Sequence, residues 1–169
     1  TVHLGAAETS VAVQHTIVGA EQTILNIGNK EITVANTTGI SFGNVKLWTF
    51  PQGRVLVHGV VLRALTVGLA NAGNVTPITG AMGGDVSLGT TGTTDSTLST
   101  TDVDLLPSTS IDPISGGITG AALAAAAVFD GTTTAKPVYL NMIIDDADVA
   151  DGASDVLEIT CQVIITWSF

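Results

Sequence analysis

An apolar residue stands at every second position from Leu157 to Phe169, and no other segment constrains the fold as tightly. Leu157, Ile159, Cys161, Val163, Ile165, Trp167 and Phe169 fall on one side. Val156, Glu158, Thr160, Gln162, Ile164, Thr166 and Ser168 fall on the other. A repeat of two is the side-chain period of an extended chain, so the segment predicts a strand with one face in a core. The Trp-Ser-Phe run predicts that the last residues are docked, because fraying would leave two aromatics in water.

Residues 137–144 predict a second strand, with Val138, Leu140, Met142 and Ile144 inward. Pro137 stands first, where a strand tolerates the missing N–H. The acidic segment 145–155, with Gly152, reads as the turn joining the two strands into an antiparallel pair. Residues 44–50 predict a shorter strand, ended by Phe50-Pro51-Gln52-Gly53 with Pro second and Gly fourth in a turn. Residues 54–67 are apolar on both faces. As one straight strand they would span roughly 46 Å, so Gly59 is expected to mark a bulge or bend. Apolarity on both sides predicts that both are covered, by a second sheet or by neighbouring subunits.

Val11, Val13, His15 and Ile17 alternate with their neighbours, as do Ile24 with Asn26 and Ile32 with Val34, but Gly19, Gly28 and Gly39 interrupt. Residues 1–29 therefore read as two or three edge strands or as an extended arm laid on a partner, ahead of one domain over 30–169. Residues 71–120, rich in Gly, Thr and Ser, predict long loops, with one helical turn over 100–106 stopped by Pro107. Residues 121–127 suit a helix by propensity, or a closely packed strand of small residues. The sum is an all-β domain, a β-sandwich or jelly roll with long Gly/Thr-rich loops and an extended N-terminal segment.

Charge limits how such a domain can live. Only 12% of residues are charged, against about 25% in ordinary soluble domains, and the mean hydropathy is +0.49. A folded chain of this mass exposes on the order of 7,800 Å². So few charges leave apolar patches on that surface, and large patches mark interfaces. The charge present is one-sided, with 15 acidic residues against 5 basic and a formal net of −10. Neutralising phosphate takes Lys and Arg, so this balance argues against nucleic acid and against an anionic membrane surface. Residues 55–70 are apolar enough to suggest a membrane span, yet they carry His58 and Arg63, and their valines and flanking glycines suit a strand. The first residues, Thr1 to Gly5, have neither a basic start nor an apolar run, so no signal peptide is expected.

Constellations that would carry chemistry are weak. Asp145, Asp146, Asp148, Asp151 and Asp155 form the densest acidic group. Counted from Asp146 as an EF-hand loop, Ala150 takes the fifth place, Asp151 replaces the turn glycine and Leu157 replaces the bidentate Glu, so a solvated turn is expected. His3, His15 and His58 have no metal-binding spacing, and no GxSxG occurs. The glycines of residues 80–84 lack the lysine of a phosphate-binding loop. Cys161, the single cysteine, lies on the apolar side of its strand as an inert thiol. The expectation is a structural protein, not an enzyme, with no cofactor and no metal. Trp48, Phe50, Tyr139, Trp167 and Phe169 read as core or subunit-interface anchors; only Trp48 with Lys46 approaches the aromatic-plus-polar pattern of a sugar site.

Several segments together resemble a known family. They are residues 50–57 (Phe-Pro-Gln-Gly-Arg-Val-Leu-Val), 84–90 (Gly-Asp-Val-Ser-Leu-Gly-Thr) and 104–109 (Asp-Leu-Leu-Pro-Ser-Thr). Phe129-Asp130-Gly131-Thr132, the run from Val138 to Asp148 and the terminal Ile165-Thr166-Trp167 complete the set. Their order, over residues 30–169, resembles the small structural proteins of tailed phages, marine and aquatic ones especially, that include capsid decoration (cement) proteins. The resemblance implies a jelly-roll-like homotrimer, made in the host cytoplasm and bound to the major capsid protein on the outer capsid surface of the virion. Its positions there would be three-fold or quasi-three-fold, clamping capsomers together. On this reading the subunit or capsid interface draws on Val11, Val13 and Ile17 as an arm, and on Trp48, Phe50, Trp167 and Phe169. A phage fibre or another receptor- or glycan-binding module shares the same β-rich composition and is the alternative.

Overall fold

A computed structural model of the chain describes residues 6–7, 11–18, 20–37, 40–71, 74–77, 84–111, 127–144 and 156–169. They form an all-β domain of eleven strands, every pair antiparallel. In chain order these are β1 (Ala6–Ala7), β2 (Val11–Val18), β3 (Ala20–Thr37), β4 (Ile40–Thr49), β5 (Arg54–Asn71) and β6 (Asn74–Pro77). Then come β7 (Gly84–Gly89), β8 (Leu106–Ser110), β9 (Ala127–Asp130), β10 (Pro137–Ile144) and β11 (Val156–Ser168), with one 3-10 turn at Thr100–Asp102. The acidic segment 145–155, residues 80–83 and residues 121–126, on which three of the expectations above fall, lie outside the described residues.

Strand β3 belongs to two halves of the sheet. Its first part pairs with β2 on one side and β11 on the other, and β11 passes on to β5, which carries β6 and β9. Its last residues, Val34 to Thr37, pair instead with β4, and the order continues through β10 and β7 to β8. The two halves share a single hydrophobic core. Where β3 passes from one half to the other, it runs hard against β4 at Gly43. A Cβ on Gly43 would stand 2.7 Å from Ile32 Cγ2 and 2.8 Å from the Thr33 carbonyl oxygen. Gly43→Ala is therefore expected to cost about 1–3 kcal/mol, the usual penalty of overpacking, read as a lower urea midpoint with an unchanged slope.

The C-terminal strand keeps the expected alternation. Leu157, Ile159, Cys161, Val163, Ile165 and Trp167 are all buried, while Phe169 at the rim is 54% exposed. Strand β5 explains why residues 54–67 read as apolar on both faces. Its buried residues are Val55, Val57, Val60, Leu62 and Leu65, so the inward phase slips once near Gly59 and again at Arg63–Ala64. Each slip is a bulge, because the register with β11 shifts between Thr166 and Trp167 and between Thr160 and Gln162. Two inward phases superimposed look like apolarity on both faces. At the level of the second slip β3 bulges too, between the partners of Ile159 and Cys161. Asn29 and Ala64 turn left-handed there, with φ of 51° and 53°. Gly28 thus interrupts the alternation without ending the strand.

A division at residue 29/30 falls inside β3. Residues 21–27 lie between β11 and β2, so they are interior to the sheet and only β1 and β2 are peripheral. The helical turn is shorter than expected. Leu106 already starts β8, where Pro107 is tolerated because β8 pairs on one side only, with β7.

Candidate interaction surface

The residues singled out as interface anchors separate into three groups. Trp48, Phe50 and Trp167 are buried within the chain's own core. Their rings form one cluster, with centroids 4.7 Å apart for Trp48–Phe50, 5.8 Å for Phe50–Trp167 and 6.0 Å for Trp48–Trp167. Trp48 comes from β4 and Trp167 from β11, so this cluster is where the two halves of the sheet meet face to face. These three are core residues rather than anchors for a partner, and the burial of Trp48 removes the aromatic on which a sugar platform would have rested. Phe169 sits at the margin, edge-on to Trp167 at 5.3 Å, over Gly53, whose φ of 149° and lack of a Cβ admit the ring. Val11, Val13 and Ile17 lie on β2, an edge strand registered against Ile27, Leu25 and Glu21 of β3; their side chains are outside the described residues.

The two halves differ in what covers their outer faces. On the β4–β10–β7 half, Asn44, Asn141 and Ser87 stand in register across three strands. They point away from the core, since Leu140, Met142, Val86 and Leu88 point into it. Segment 90–104 is pinned on this row. The Asn141 side chain accepts from Thr93 N at 2.9 Å and donates to the carbonyls of Thr91 at 3.0 Å and Asp102 at 2.9 Å. Ser87 Oγ donates to the Asp102 carbonyl at 2.7 Å, and Asn44 Nδ2 donates to the Thr93 carbonyl at 2.9 Å. Gly89 lies under the segment so closely that a Cβ there would strike the Thr101 carbonyl oxygen. A Thr- and Gly-rich stretch that reads as loose is in fact a fitted cover.

Asp104 closes that cover at its far end, accepting from Thr90 N at 2.8 Å and from Thr90 Oγ1 at 2.6 Å. Burial pushes its carboxyl pKa up, and the Thr90 bonds pull it back only in part. A carboxyl whose folded pKa lies above the unfolded value binds more protons folded than unfolded, so it costs stability as pH rises through that window. Wild type should therefore gain on Asp104→Asn as pH falls from neutrality into the carboxylate range. Urea midpoints of both proteins at pH 7 and near pH 3.5 check this; the sign follows from the raised pKa.

The outer face of the β3–β11–β5 half carries no such cover among the described residues. Three rows cross it in register: Asn26–Gln162–Arg63, Ile24–Ile164–Val61 and Gln22–Thr166–Gly59. The first is a hydrogen-bonded ladder, with Arg63 Nε donating to Gln162 Oε1 and Gln162 Nε2 donating to Asn26 Oδ1, both at 2.6 Å. Ser168 follows, bonded to His58 Nε2 at 2.9 Å and registered with Leu56, itself opposite Val128. All three exposed large hydrophobic residues among the described ones belong to this half: Val61 at 36%, Val128 at 70% and Phe169 at 54% exposure.

Alternation in β11 already put Gln162, Ile164 and Thr166 on the outward side, and an outward Ile was the available signal. Asn26, Ile24 and Val61 needed the register to be found. Cys161 is buried, and its surroundings push the thiol pKa up to about 12, so it is not a nucleophile at neutral pH. Among the described residues no group of three His, Cys, Asp or Glu side chains is placed to hold a metal ion. Among the described residues no helix is long and apolar enough to cross a membrane. Compared with known proteins, the chain matches no family model, no curated protein and no solved structure.

Proposed function

We propose that this chain is a structural protein of a phage head, a decoration (cement) protein that binds the outside of the capsid as a homotrimer and stabilises the shell. The observation that carries the reading is the contrast between its two outer faces. One is covered by the chain's own pinned segment, which presents Thr, Ser and Asp to water; the other has no cover among the described residues and carries the exposed Val61 and Val128. A surface so divided suits a protein whose work is to be held between neighbours. Segment order supports the same family, and the jelly-roll arrangement belongs to this proposal. An external cement needs no contact with the genome, so a net charge of −10 is no obstacle. Many weak clamps repeated over a shell add up to strong resistance to capsomer separation.

Cosedimentation of the purified chain with emptied, undecorated heads tests the reading, with native mass measured alongside. Saturable pelleting of a trimer is the expected result. A monomer that stays in the supernatant at every head concentration overturns it.

A further inference from the structure

We infer that Asp130–Gly131 is a latent modification site: an aspartyl–glycyl bond that rearranges to isoaspartate when exposed, and that the folded turn holds unreactive. The sequence has two such bonds and no Asn–Gly, and Asp130–Gly131 is the one among the described residues. Asp130 is the last residue of β9, and nothing in the capsid role calls on its chemistry.

Aspartate followed by glycine is open to this reaction because no side chain hinders the attacking amide. The Gly131 nitrogen passes its proton to solvent and bonds to Asp130 Cγ. The hydroxyl of the neutral carboxyl leaves, taking up a proton as water, and a five-membered imide results. Water then adds to one of the two imide carbonyls. Opening on the main-chain side breaks the original peptide C–N bond and frees that carbonyl as a carboxylate. The chain then runs through the former side chain. One water leaves and one returns, so the mass is unchanged.

The turn restrains both reacting groups. Gly131 is buried. Its N–H donates to the Gly53 carbonyl at 2.8 Å, and the Gly53 N–H donates back to the Gly131 carbonyl at 3.2 Å. The nucleophile is thus shielded from the base that must deprotonate it. A bulkier and less reactive neighbour is excluded, since a Cβ on Gly131 would stand 2.8 Å from the Gly53 carbonyl oxygen. The electrophile is held as well. Asp130 Oδ1 accepts from Thr132 Oγ1 at 2.5 Å and from Thr132 N at 3.0 Å. Both bonds favour the carboxylate. With Arg54 and Lys136 adding their charge, they keep the carboxyl below the ordinary aspartate range and deplete the neutral form that can lose water.

The effect of the reaction would reach past the turn. Isoaspartate adds one backbone atom between β9 and Gly131, which carries the reciprocal Gly53–Gly131 pair out of register. Gly53 is also the seat of the Phe169 ring. Once this end of the sheet has opened and reacted, closing cannot restore it.

Long incubation of the full chain in warm neutral buffer tests the site. Peptide mapping with electron-transfer fragmentation distinguishes isoaspartate from aspartate at residue 130. Folded wild type should accumulate it at least ~10-fold more slowly than the same chain unfolded in urea, since one retained hydrogen bond already approaches that factor. Thr132→Val keeps the shape and removes the hydroxyl, and in the folded chain it should react about five-fold faster than wild type. Asp130→Glu, which would need a six-membered ring, should stay unmodified even in urea. Trp48 and Trp167 fluorescence reports that each variant is folded. Equal rates in the folded and unfolded chains overturn the inference, as does a folded Thr132→Val that reacts no faster than wild type. An unfolded chain that forms no isoaspartate at residue 130 overturns it too. If Thr132→Val does not fold, the ratio between folded and unfolded wild type decides.

Discussion

Trp167→Ala is expected to lower the folding stability by about 3–5 kcal/mol, the range for deleting a large aromatic from a core. That is a large share of the ~5–15 kcal/mol that holds a domain together. The indole is buried and touches the rings of Trp48, Phe50 and Phe169. Its Nε1 also donates to Thr23 Oγ1 at 3.0 Å, so one side chain links β11 to β3 and to the facing half of the sheet. A cavity there lies at the contact between both halves, where collapse of one strand onto the gap would break pairing on the other side. Trp167→Phe isolates the polar part: it keeps most of the ring and removes the indole donor, for about 1 kcal/mol beyond the lost volume. Urea denaturation at fixed protein concentration, followed by the fluorescence of Trp48, measures both. A loss for Trp167→Ala no larger than that of an exposed substitution would mean that the halves do not meet at this cluster.

Asn141→Leu should be the second most damaging change, at about 2–4 kcal/mol, although the new side chain is apolar and close in volume. Asn141 is wholly buried, and its amide serves Thr93 N, the Thr91 carbonyl and the Asp102 carbonyl at once. Leucine occupies the space and serves none of them. Buried polar groups left without partners cost more than the bonds themselves contribute. The damage should also be local. Residues 90–104 lose their central anchor while the core strands keep theirs, so the Thr93 amide should exchange much faster in deuterium and the segment become sensitive to protease. Exchange at core amides such as Val163 should rise only as far as the global loss requires. Asn141→Leu with an unaltered Thr93 amide would show that the segment is held by something other than this side chain.

These two residues also show where local sequence stops being informative. Trp167 announces its burial, because five preceding residues on one side of a strand pattern put it in a core. Nothing in that pattern says that its neighbours are Trp48 and Phe50, which lie more than a hundred residues away. Asn141 falls on the side away from Leu140 and Met142, with Tyr139 and Ile143, and nothing in the pattern marks it as buried. It is buried only because a segment some 50 residues distant folds over it.

What the amino-acid sequence determined by itself is the strand class, the inward face of β11 and β10, the turn before Arg54, the irregularity near Gly59, and a sparse charge that is mostly acidic. All of these follow from periods and compositions that a short window contains. Only the tertiary structure decided the phase slip of β3 and the second one of β5, at Arg63–Ala64, since a bulge is defined by the strand opposite. It alone placed Trp48, Phe50 and Trp167 in the core, of the two places their side chains suited, because burial depends on which sheet folds back on which. The pairing of strands likewise made one outer face a floor for residues 90–104, and on the other it brought Ile24, Ile164 and Val61 side by side from three separate stretches of chain. Register between distant strands is a property of the whole chain, and no local pattern carries it.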